Sequence, residues 1–473
     1  MRSLFFSLFL LVATTAAAQE RAPPEPVAAA LKAANVPATA VSIVVQPLAP
    51  PGLTLAVNET RPMNPASTMK LVTTYAALNL LGPTYVWRTE ALTAAPQQGD
   101  ALAGDLILRG SGDPQLVIED LWLLVQQLRG LGLRELRGDL VLDKSAFAPI
   151  AHNPAAFDGE ALRPYNAGPD ALLVNYKAVT FTFVPDPQAK LVRLRTLPAL
   201  AGMKLPATLR AADGPCGDWR EKIKADFSAP LAPRFGGAYP LACGEQHWHV
   251  SLLSHTDYVA AAFRALWEQA GGTWSGQVRD GAAPAGARVL VTHESETLVE
   301  TIRHINKFSN NVMTRQLFLT LGRGPNGEPA SLAAAQQRVA TWLADVGLPM
   351  PELVLDNGSG LSRLTRWTAQ WTAQLLVSGW RSPWMPEWVA SLPVAGVDGT
   401  MRRAQGAIGR AHLKTGSLRD VNARAGFVLS DGGRRYALVT LLQHPAAGGT
   451  RPVLDAVLDW VMQDAPSREL QAP

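Results

Sequence analysis

Cysteine is scarce in this sequence, and long apolar runs are missing from it. Only two of its 473 residues are cysteine, and neither a CxxC pair nor a Cys/His cluster occurs. This excludes a disulfide-dense scaffold and argues against a structural metal site. No stretch of about 20 consecutive apolar residues is present. The sequence therefore predicts a protein without a transmembrane anchor.

Charge is sparse and evenly spread along the chain. Lysine and arginine together number 43, and aspartate and glutamate number 39, which leaves a net charge of +4 with no basic block. A nucleic-acid partner is therefore not expected. Hydrophobic residues make up 47% of the sequence, which is too many for a disordered chain, and the length indicates several domains.

The first residues have the order of features found in a secretory signal. Arg2 precedes a short apolar run over residues 4–13, and Ala16-Ala17-Ala18 supplies small residues for cleavage. This order predicts a signal peptide over residues 1–18; the alternative is a buried N-terminal helix. Export would bring the chain to a compartment in which disulfides persist, so we favour a Cys216–Cys243 pair over two buried free thiols.

Local patterns divide the remaining chain into three parts. Residues 65–82 predict a helix that is buried on nearly all sides, and three strand patterns near the C-terminus predict an antiparallel meander covered by a last helix. Between them, GDLIL and GDLVL predict strands of an α/β insert, and an alternating stretch predicts a small β-rich domain nested in it. The predicted boundaries are 19–88 and 290–473 for the main domain, 89–180 and 250–289 for the insert, and 181–249 for the nested domain.

Three short motifs place reactive side chains on these elements. Ser67 and Lys70 form an S-x-x-K at the start of the predicted buried helix, where their spacing sets an amine beside a hydroxyl. Ser309 and Asn311 form an S-x-N in a turn between two helix patterns, and Lys414-Thr415-Gly416 ends a strand pattern. Taken singly, each motif has an ordinary interpretation, such as chance, a capping turn or an edge-strand lysine.

Together, and in this order, the motifs resemble the serine acyl-transferase constellation of penicillin-binding proteins and β-lactamases. The long separation of Lys70 from Ser309, together with LRGSGDPQL, DNGSGLSR and LPVAGVDGTMRR, resembles the low-molecular-mass class C penicillin-binding proteins, the D-alanyl-D-alanine carboxypeptidase/endopeptidase family. This resemblance implies an α+β fold. It would comprise a serine β-lactamase/DD-peptidase-like domain, with an antiparallel sheet covered by helices, interrupted by two nested insert domains.

The resemblance also implies a role for each motif residue. Ser67 is the expected nucleophile. Lys70 is expected to be uncharged, because burial and the nearby charge of Lys414 lower its pKa; whether Lys70 or a relay acts as the acylation base stays open. Ser309 and Lys414 are expected to return a proton to the leaving amine, while Asn311 orients Lys70 and the substrate amide.

The segment after Lys414 is expected to bind substrate. The backbone N–H groups of Ser67 and Ser417 would form the oxyanion hole, as they do in the family that the sequence resembles. Lys414, with the hydroxyls of Thr415 and Ser417 on either side of Gly416, offers charge and donors to a substrate carboxylate.

Peptidoglycan stem peptides that end in D-Ala-D-Ala are the substrates that the resemblance implies. The resemblance further implies a periplasmic location, inhibition by β-lactam antibiotics and no metal or organic cofactor. Whether the enzyme also cuts cross-links between stem peptides stays open. Asp158 is a candidate contact for the amine of a diaminopimelate side chain, or else a solvated loop residue. A non-catalytic cell-wall-binding protein and a β-lactamase are the alternative functions.

Overall fold

The computed structural model describes residues 22–464. The predicted signal peptide at residues 1–18 lies outside this range. Within it, none of the helices is both long enough and apolar enough to span a bilayer. The helices are α1 Glu25–Ala33, α2 Lys70–Leu81, α3 Ile118–Gly130, α4 Trp219–Ile223, α5 His255–Gln269, α6 Leu298–Phe308, α7 Asn311–Thr320, α8 Leu332–Asp345, α9 Ala369–Arg381, α10 Met385–Ser391 and α11 Arg451–Met462.

The strands belong to separate sheets along the chain. The first two are β1 Val41–Pro47 and β2 Leu55–Val57, and the last three are β19 Ala411–Leu418, β20 Val421–Leu429 and β21 Arg435–Gln443. Between them lie β3 Arg88–Thr93, β4 Gln97–Gln98, β5 Ala101–Leu102, β6 Leu106–Gly110, β7 Glu135–Leu136, β8 Leu140–Asp143, β9 Val179–Asp186, β10 Leu191–Leu197, β11 Thr208–Ala212, β12 Ala225–Asp226, β13 Arg234–Phe235, β14 Ala238–Pro240, β15 Gln246–Val250, β16 Thr273–Trp274, β17 Val278–Asp280 and β18 Arg288–Glu294.

The first and last strands of the chain form one antiparallel sheet in the order β19-β20-β21-β1-β2. Alternate residues of a strand point to opposite faces, and both faces of this sheet are apolar. Val439 packs in a core with α2 and its neighbouring helices, whereas Leu438 packs in a second core with α1 and α11. The predicted C-terminal meander and its covering helix are confirmed, and the sheet is enclosed between two helical layers.

Helix α2 lies deep in the main core. Every residue from Lys70 to Leu78 is buried, which confirms the prediction of a helix buried on nearly all sides. The predicted helix over residues 65–82 begins, however, as a 3₁₀ turn at Ala66–Met69 before the α-helix proper. Ser67 therefore lies in this turn, two residues before Met69, the N-cap of the α-helix.

Residues 88–294 build further sheets. One has the order β17-β8-β6-β3-β18, and another has the order β14-β11-β10-β9-β15. Their apolar faces share a single core with α3 and α5, to which Leu140 of the first sheet and Phe181 of the second both contribute. The predicted boundaries between an insert and a nested domain stay a prediction, since this common core joins the two regions.

A disulfide joins Cys216 to Cys243, with a Cα–Cα distance of 4.7 Å. It closes the part of the chain that contains α4 and the short strands β12 to β14. The ring of Trp219, which begins α4, lies 5.9 Å from the ring of Trp248 on β15. The bond therefore anchors a short, loop-rich segment to the edge of the β-rich sheet.

Replacing both cysteines by serine is expected to lower the free energy of unfolding of this segment by about 3.5 kcal/mol, because a closed loop of this length restricts the unfolded chain. Urea unfolding followed by tryptophan fluorescence measures the change. A reductant should shift the unmodified protein to the same midpoint and leave the double variant unchanged. The prediction would be contradicted if neither the double substitution nor the reductant changed the unfolding midpoint.

Candidate active site

Ser67 and Lys70 contact each other at the start of α2. The Lys70 Nζ lies 3.0 Å from the Ser67 Oγ, as the i,i+3 spacing predicts. The same amine lies 2.6 Å from the Asn311 Oδ1 and donates to the carbonyl oxygen of Ser359 at 2.7 Å. These oxygens hold the amine in one position, against the hydroxyl of Ser67.

Burial controls the charge of Lys70. The side chain is fully buried, and the loss of hydration lowers its pKa well below that of a free lysine. The positive charges of Lys414 and Arg315 lower this pKa further. An amine in these surroundings gives up its proton readily and is then able to accept one from a neighbouring hydroxyl.

Lys414 and Ser309 form the second pair of the site. The Lys414 Nζ donates to the Ser309 Oγ at 2.9 Å and to the carbonyl oxygen of Thr415 at 2.8 Å. Burial lowers the pKa of Lys414 to about 7. Because Lys70 experiences the charge of Lys414 in addition to its own burial, Lys70 is the first of the two amines to become neutral as the pH rises.

The S-x-N motif lies in the predicted turn. Ser309 has left-handed backbone angles where α6 ends, and the side chain of Asn310 accepts a hydrogen bond from the N–H of Met313 to cap α7. This sharp reversal directs Ser309 toward Lys414 and Asn311 toward Lys70. The ordinary interpretation of the motif, a capping turn, is thus also correct.

The K-T-G motif was expected at a strand end but lies inside β19. Pairing with β20 continues to Leu418, and the chain turns only at Arg419 and Asp420. The strand therefore passes alongside the nucleophile: a Cβ on Gly416 would come within 2.7 Å of the Pro65 carbonyl oxygen and 3.0 Å of the Ser67 nitrogen. Glycine is required at this crossing because no side chain fits.

The backbone on the other side of Ser67 is equally crowded. Gly360 has a φ of +76°, and a Cβ there would come within 1.9 Å of the carbonyl oxygen of Ala66. Ala66 itself has a φ of +46°, in the left-handed region that alanine rarely adopts. Such strain just before a reactive residue is typical of functional sites, where the surrounding packing holds it in place.

Three contacts of the site were missed by sequence reasoning. They are the carbonyl oxygen of Ser359 on Lys70, the charge of Arg315 near Lys70, and the Thr400 hydroxyl, which lies 2.7 Å from the hydroxyl of Thr415. Ser359 and Thr400 belong to the stretches DNGSGLSR and LPVAGVDGTMRR, which had already indicated the family. These two stretches were therefore the sequence signal for two of the three missed contacts, those of Ser359 and Thr400.

Asp158 lies in a loop and is partly exposed. Its carboxylate accepts hydrogen bonds from the Tyr165 hydroxyl and the Asn166 side chain, both at 2.8 Å, and from the Glu160 N–H at 3.0 Å. Partial burial acts to raise its pKa, but these hydrogen bonds lower it overall. None of its contacts joins it to Ser67 or Lys70, so its proposed role toward a substrate stays a prediction.

The site as a whole holds a hydroxyl against a buried amine whose pKa is lowered, and it places a second amine nearby. A nucleophile, a base and a separate proton donor are the groups that acyl transfer requires. Between residues 22 and 464, His, Cys, Asp and Glu form no group of three placed to hold a metal ion.

Comparisons with known proteins agree with this chemistry. Residues 25–458 match the family described as D-Ala-D-Ala carboxypeptidase 3 (S13). The chain is 32% identical to a D-alanyl-D-alanine carboxypeptidase of Actinomadura sp. (strain R39), over 77% of this chain and 70% of that protein. It is 25% identical to the D-alanyl-D-alanine carboxypeptidase DacB of Haemophilus influenzae, over 81% of each.

The fold matches a solved structure over nearly its whole length. The crystal structure of penicillin binding protein 4 (dacB) from Haemophilus influenzae superimposes with a TM-score of 0.76 at 21% identity, covering 91% of this chain and 99% of that one. The same protein has also been solved in complex with a β-lactam. The α+β fold expected from the motifs is confirmed by this match.

The substitution Gly416→Ala is expected to slow acylation by benzylpenicillin about 10²-fold or more, because its methyl group pushes β19 away from the Ser67 N–H and spoils the oxyanion site. Stopped-flow acylation kinetics measure the effect. Gly448→Ala is the matched control, since open space surrounds Gly448 and its φ is negative. Equal acylation rates in the two variants would contradict the prediction.

A bell-shaped pH dependence of kcat/KM is expected for a peptide ending in D-Ala-D-Ala. Activity falls at low pH as Lys70 becomes charged, and it falls at high pH as Lys414 loses its proton near its pKa of about 7. In kcat the alkaline limb lies at higher pH, because a bound carboxylate favours the charged form of Lys414.

Steady-state kinetics across the pH range provide the measurement. Lys414→Arg, whose guanidinium stays charged and does not give up a proton to Ser309, should be slower across the pH range and should lose the alkaline limb. An alkaline limb that persists in this variant would assign it to another group.

Proposed function

This chain belongs to the D-Ala-D-Ala carboxypeptidase 3 (S13) family of serine-type hydrolases, and we propose that it is a periplasmic DD-peptidase that acts through a Ser67 acyl-enzyme. Its substrates are peptidoglycan stem peptides that end in D-Ala-D-Ala, and it also cuts D-Ala-diaminopimelate cross-links. One observation carries the proposal above all others: the Lys70 Nζ lies 3.0 Å from the Ser67 Oγ and has a strongly lowered pKa.

In the acylation step, the neutral amine of Lys70 takes the proton of the Ser67 hydroxyl as the oxygen attacks the carbonyl carbon of the penultimate D-Ala. Negative charge then develops on the carbonyl oxygen. The N–H groups of Ser67 and Ser417 are the proposed donors to this oxyanion, which preorganised donors stabilise strongly. Asn311 supports the step because its Oδ1 lies 2.6 Å from the Lys70 amine.

Departure of the leaving group requires a proton on its nitrogen. Ser309, which accepts a hydrogen bond from Lys414, is the proposed final donor, and Lys414 replaces the proton that Ser309 gives up. Lys414, Thr415 and Ser417 bind the carboxylate of the terminal residue when D-Ala leaves. Water then attacks the ester carbonyl and passes a proton through Ser309 to Lys414, Lys70 returns its proton to the Ser67 oxygen, and the shortened peptide is released with both amines in their starting states.

A β-lactam resembles the D-Ala-D-Ala end and is expected to acylate the same serine. The Haemophilus influenzae relative whose structure contains a β-lactam supports this expectation. A β-lactamase would release the adduct rapidly, whereas a DD-peptidase retains it, so the lifetime of the adduct separates these two functions. A pure cell-wall-binding protein would not need the Ser67 and Lys70 contact at all.

Fluorescent penicillin is expected to label the mature chain once, on the peptide that contains Ser67. The variant Ser67→Ala should lose both this label and D-Ala release from a pentapeptide, because no other hydroxyl among residues 22–464 contacts the side-chain amine of Lys70. Gel fluorescence, peptide mapping by mass spectrometry and an assay for free D-Ala measure the three quantities.

Exposed Ser228, which lies far along the chain from the three motifs, provides the control. Ser228→Ala should be labelled and should hydrolyse the pentapeptide like the unmodified protein. Label that persists in Ser67→Ala would refute the assignment of the nucleophile.

A further inference from the structure

A cavity of about 600 Å³ opens beside the S-x-N turn. The turn residues 309–311 line one part of it, while Arg220 on α4 and Trp248 and His249 on β15 line another. Ligand sites typically have volumes of about 300–1,000 Å³. This cavity therefore connects the catalytic turn with a region of the chain that none of the three motifs reaches.

Arg220 lines this cavity beside two tryptophan rings, and the structure shows no hydrogen bond or ion pair of its guanidinium with another of the described residues. Its guanidinium lies 5.1 Å from the centre of the Trp219 ring and 5.7 Å from that of Trp248. Its Nε is buried and has no hydrogen-bond partner among the described residues. An unsatisfied buried donor costs free energy, and a guanidinium fork is suited to a carboxylate, which it binds with two parallel hydrogen bonds.

The charges around the cavity favour an anion. None of the described residues that line it is acidic, whereas Arg163 lines it together with Arg220. Arg163 also contacts Glu160, at 3.3 Å. Burial lowers the pKa of the neighbouring His249, and the charges of His247 and Arg220 lower it further. Of these two arginines, Arg220 is thus the one for which the described part of the chain shows no ion pair.

The position of the cavity indicates which part of a substrate enters it. Ser309 lines the cavity and accepts a hydrogen bond from Lys414 at 2.9 Å. In the proposed function, this pair returns the proton to the leaving amine, so the cavity lies on the leaving-group side. A single D-Ala is small, but when a cross-link is cut the leaving amine belongs to a second peptide, which has carboxylates of its own.

We propose that Arg220 and Trp248 bind a carboxylate of this second peptide and thereby favour cross-linked substrates. The proposal rests on the function proposed above and adds a specificity site to it. The disulfide supports the site, because Cys216 lies just before α4 and Cys243 lies just before β15. The bond therefore ties together the two elements that supply the arginine and the tryptophan.

The variant Arg220→Ala tests the proposal on two substrates. We expect kcat/KM for a cross-linked muropeptide dimer to fall about tenfold, since a charge-assisted hydrogen bond is lost. Release of D-Ala from a monomeric pentapeptide and acylation by benzylpenicillin should stay within about twofold of the unmodified protein. Arg210, an exposed arginine on β11 that does not line the cavity, provides the matched control Arg210→Ala.

A second measurement uses the unmodified protein alone. The dimer whose second peptide has amidated carboxylates should be cleaved about tenfold more slowly than the free dimer, and Arg220→Ala should cleave the two equally. Equal cleavage of both dimers by the unmodified protein would overturn the inference, as would an equal loss of dimer and pentapeptide hydrolysis in Arg220→Ala. If the unmodified protein neither reacted with penicillin nor released D-Ala, the proposed function itself would fail.

Discussion

The structure depends on one interaction, the contact between the buried amine of Lys70 and the hydroxyl of Ser67. Three distant parts of the chain create it. Helix α2 and the 3₁₀ turn before it carry the two groups, the turn before α7 brings Asn311 to the amine, and β19 brings Lys414 close enough for its charge to lower the pKa of Lys70. Each part alone is an ordinary helix, turn or strand, and only their convergence makes a base out of a lysine.

Close backbone approach is what allows this convergence. Strand β19 crosses the turn that holds Ser67 at Gly416, and a loop crosses it from another direction at Gly360. A methyl group at either glycine would overlap backbone atoms of residues 65–67, which have little room to move because the same turn leads into α2, a helix buried at every residue from Lys70 to Leu78. Packing density and reactivity are therefore linked at this point of the fold.

Sequence reasoning found the side chains of the site but not its backbone contacts. Ser67 and Lys70 were predictable because the i,i+3 spacing of a helix is local, and the three motifs together indicated the family. The Ser359 carbonyl on Lys70 was not predictable, because every residue has a carbonyl and its direction depends on distant packing. The contact of Arg220 with the Trp248 ring was missed for a similar reason. Arg220 lies on the short helix α4 and Trp248 on β15, and no local sequence pattern indicates that these two elements meet.

The two buried lysines also lower the stability of the folded protein. The pKa values of Lys70 and Lys414 are lowered in the folded state, so at neutral pH the unfolded chain binds more protons than the native protein. This difference in proton binding lowers the free energy of unfolding at neutral pH. The two lysines destabilise the native protein less as the pH rises toward the pKa of a free lysine. An ion-paired lysine, whose pKa is raised, would instead lose its stabilising contribution as the pH rises. The helical layers on both faces of the main sheet supply the apolar burial that offsets this cost. Burial lowers the pKa of an amine only where the core is large enough to exclude water from it, and the burial of α2 at every residue from Lys70 to Leu78 meets this requirement.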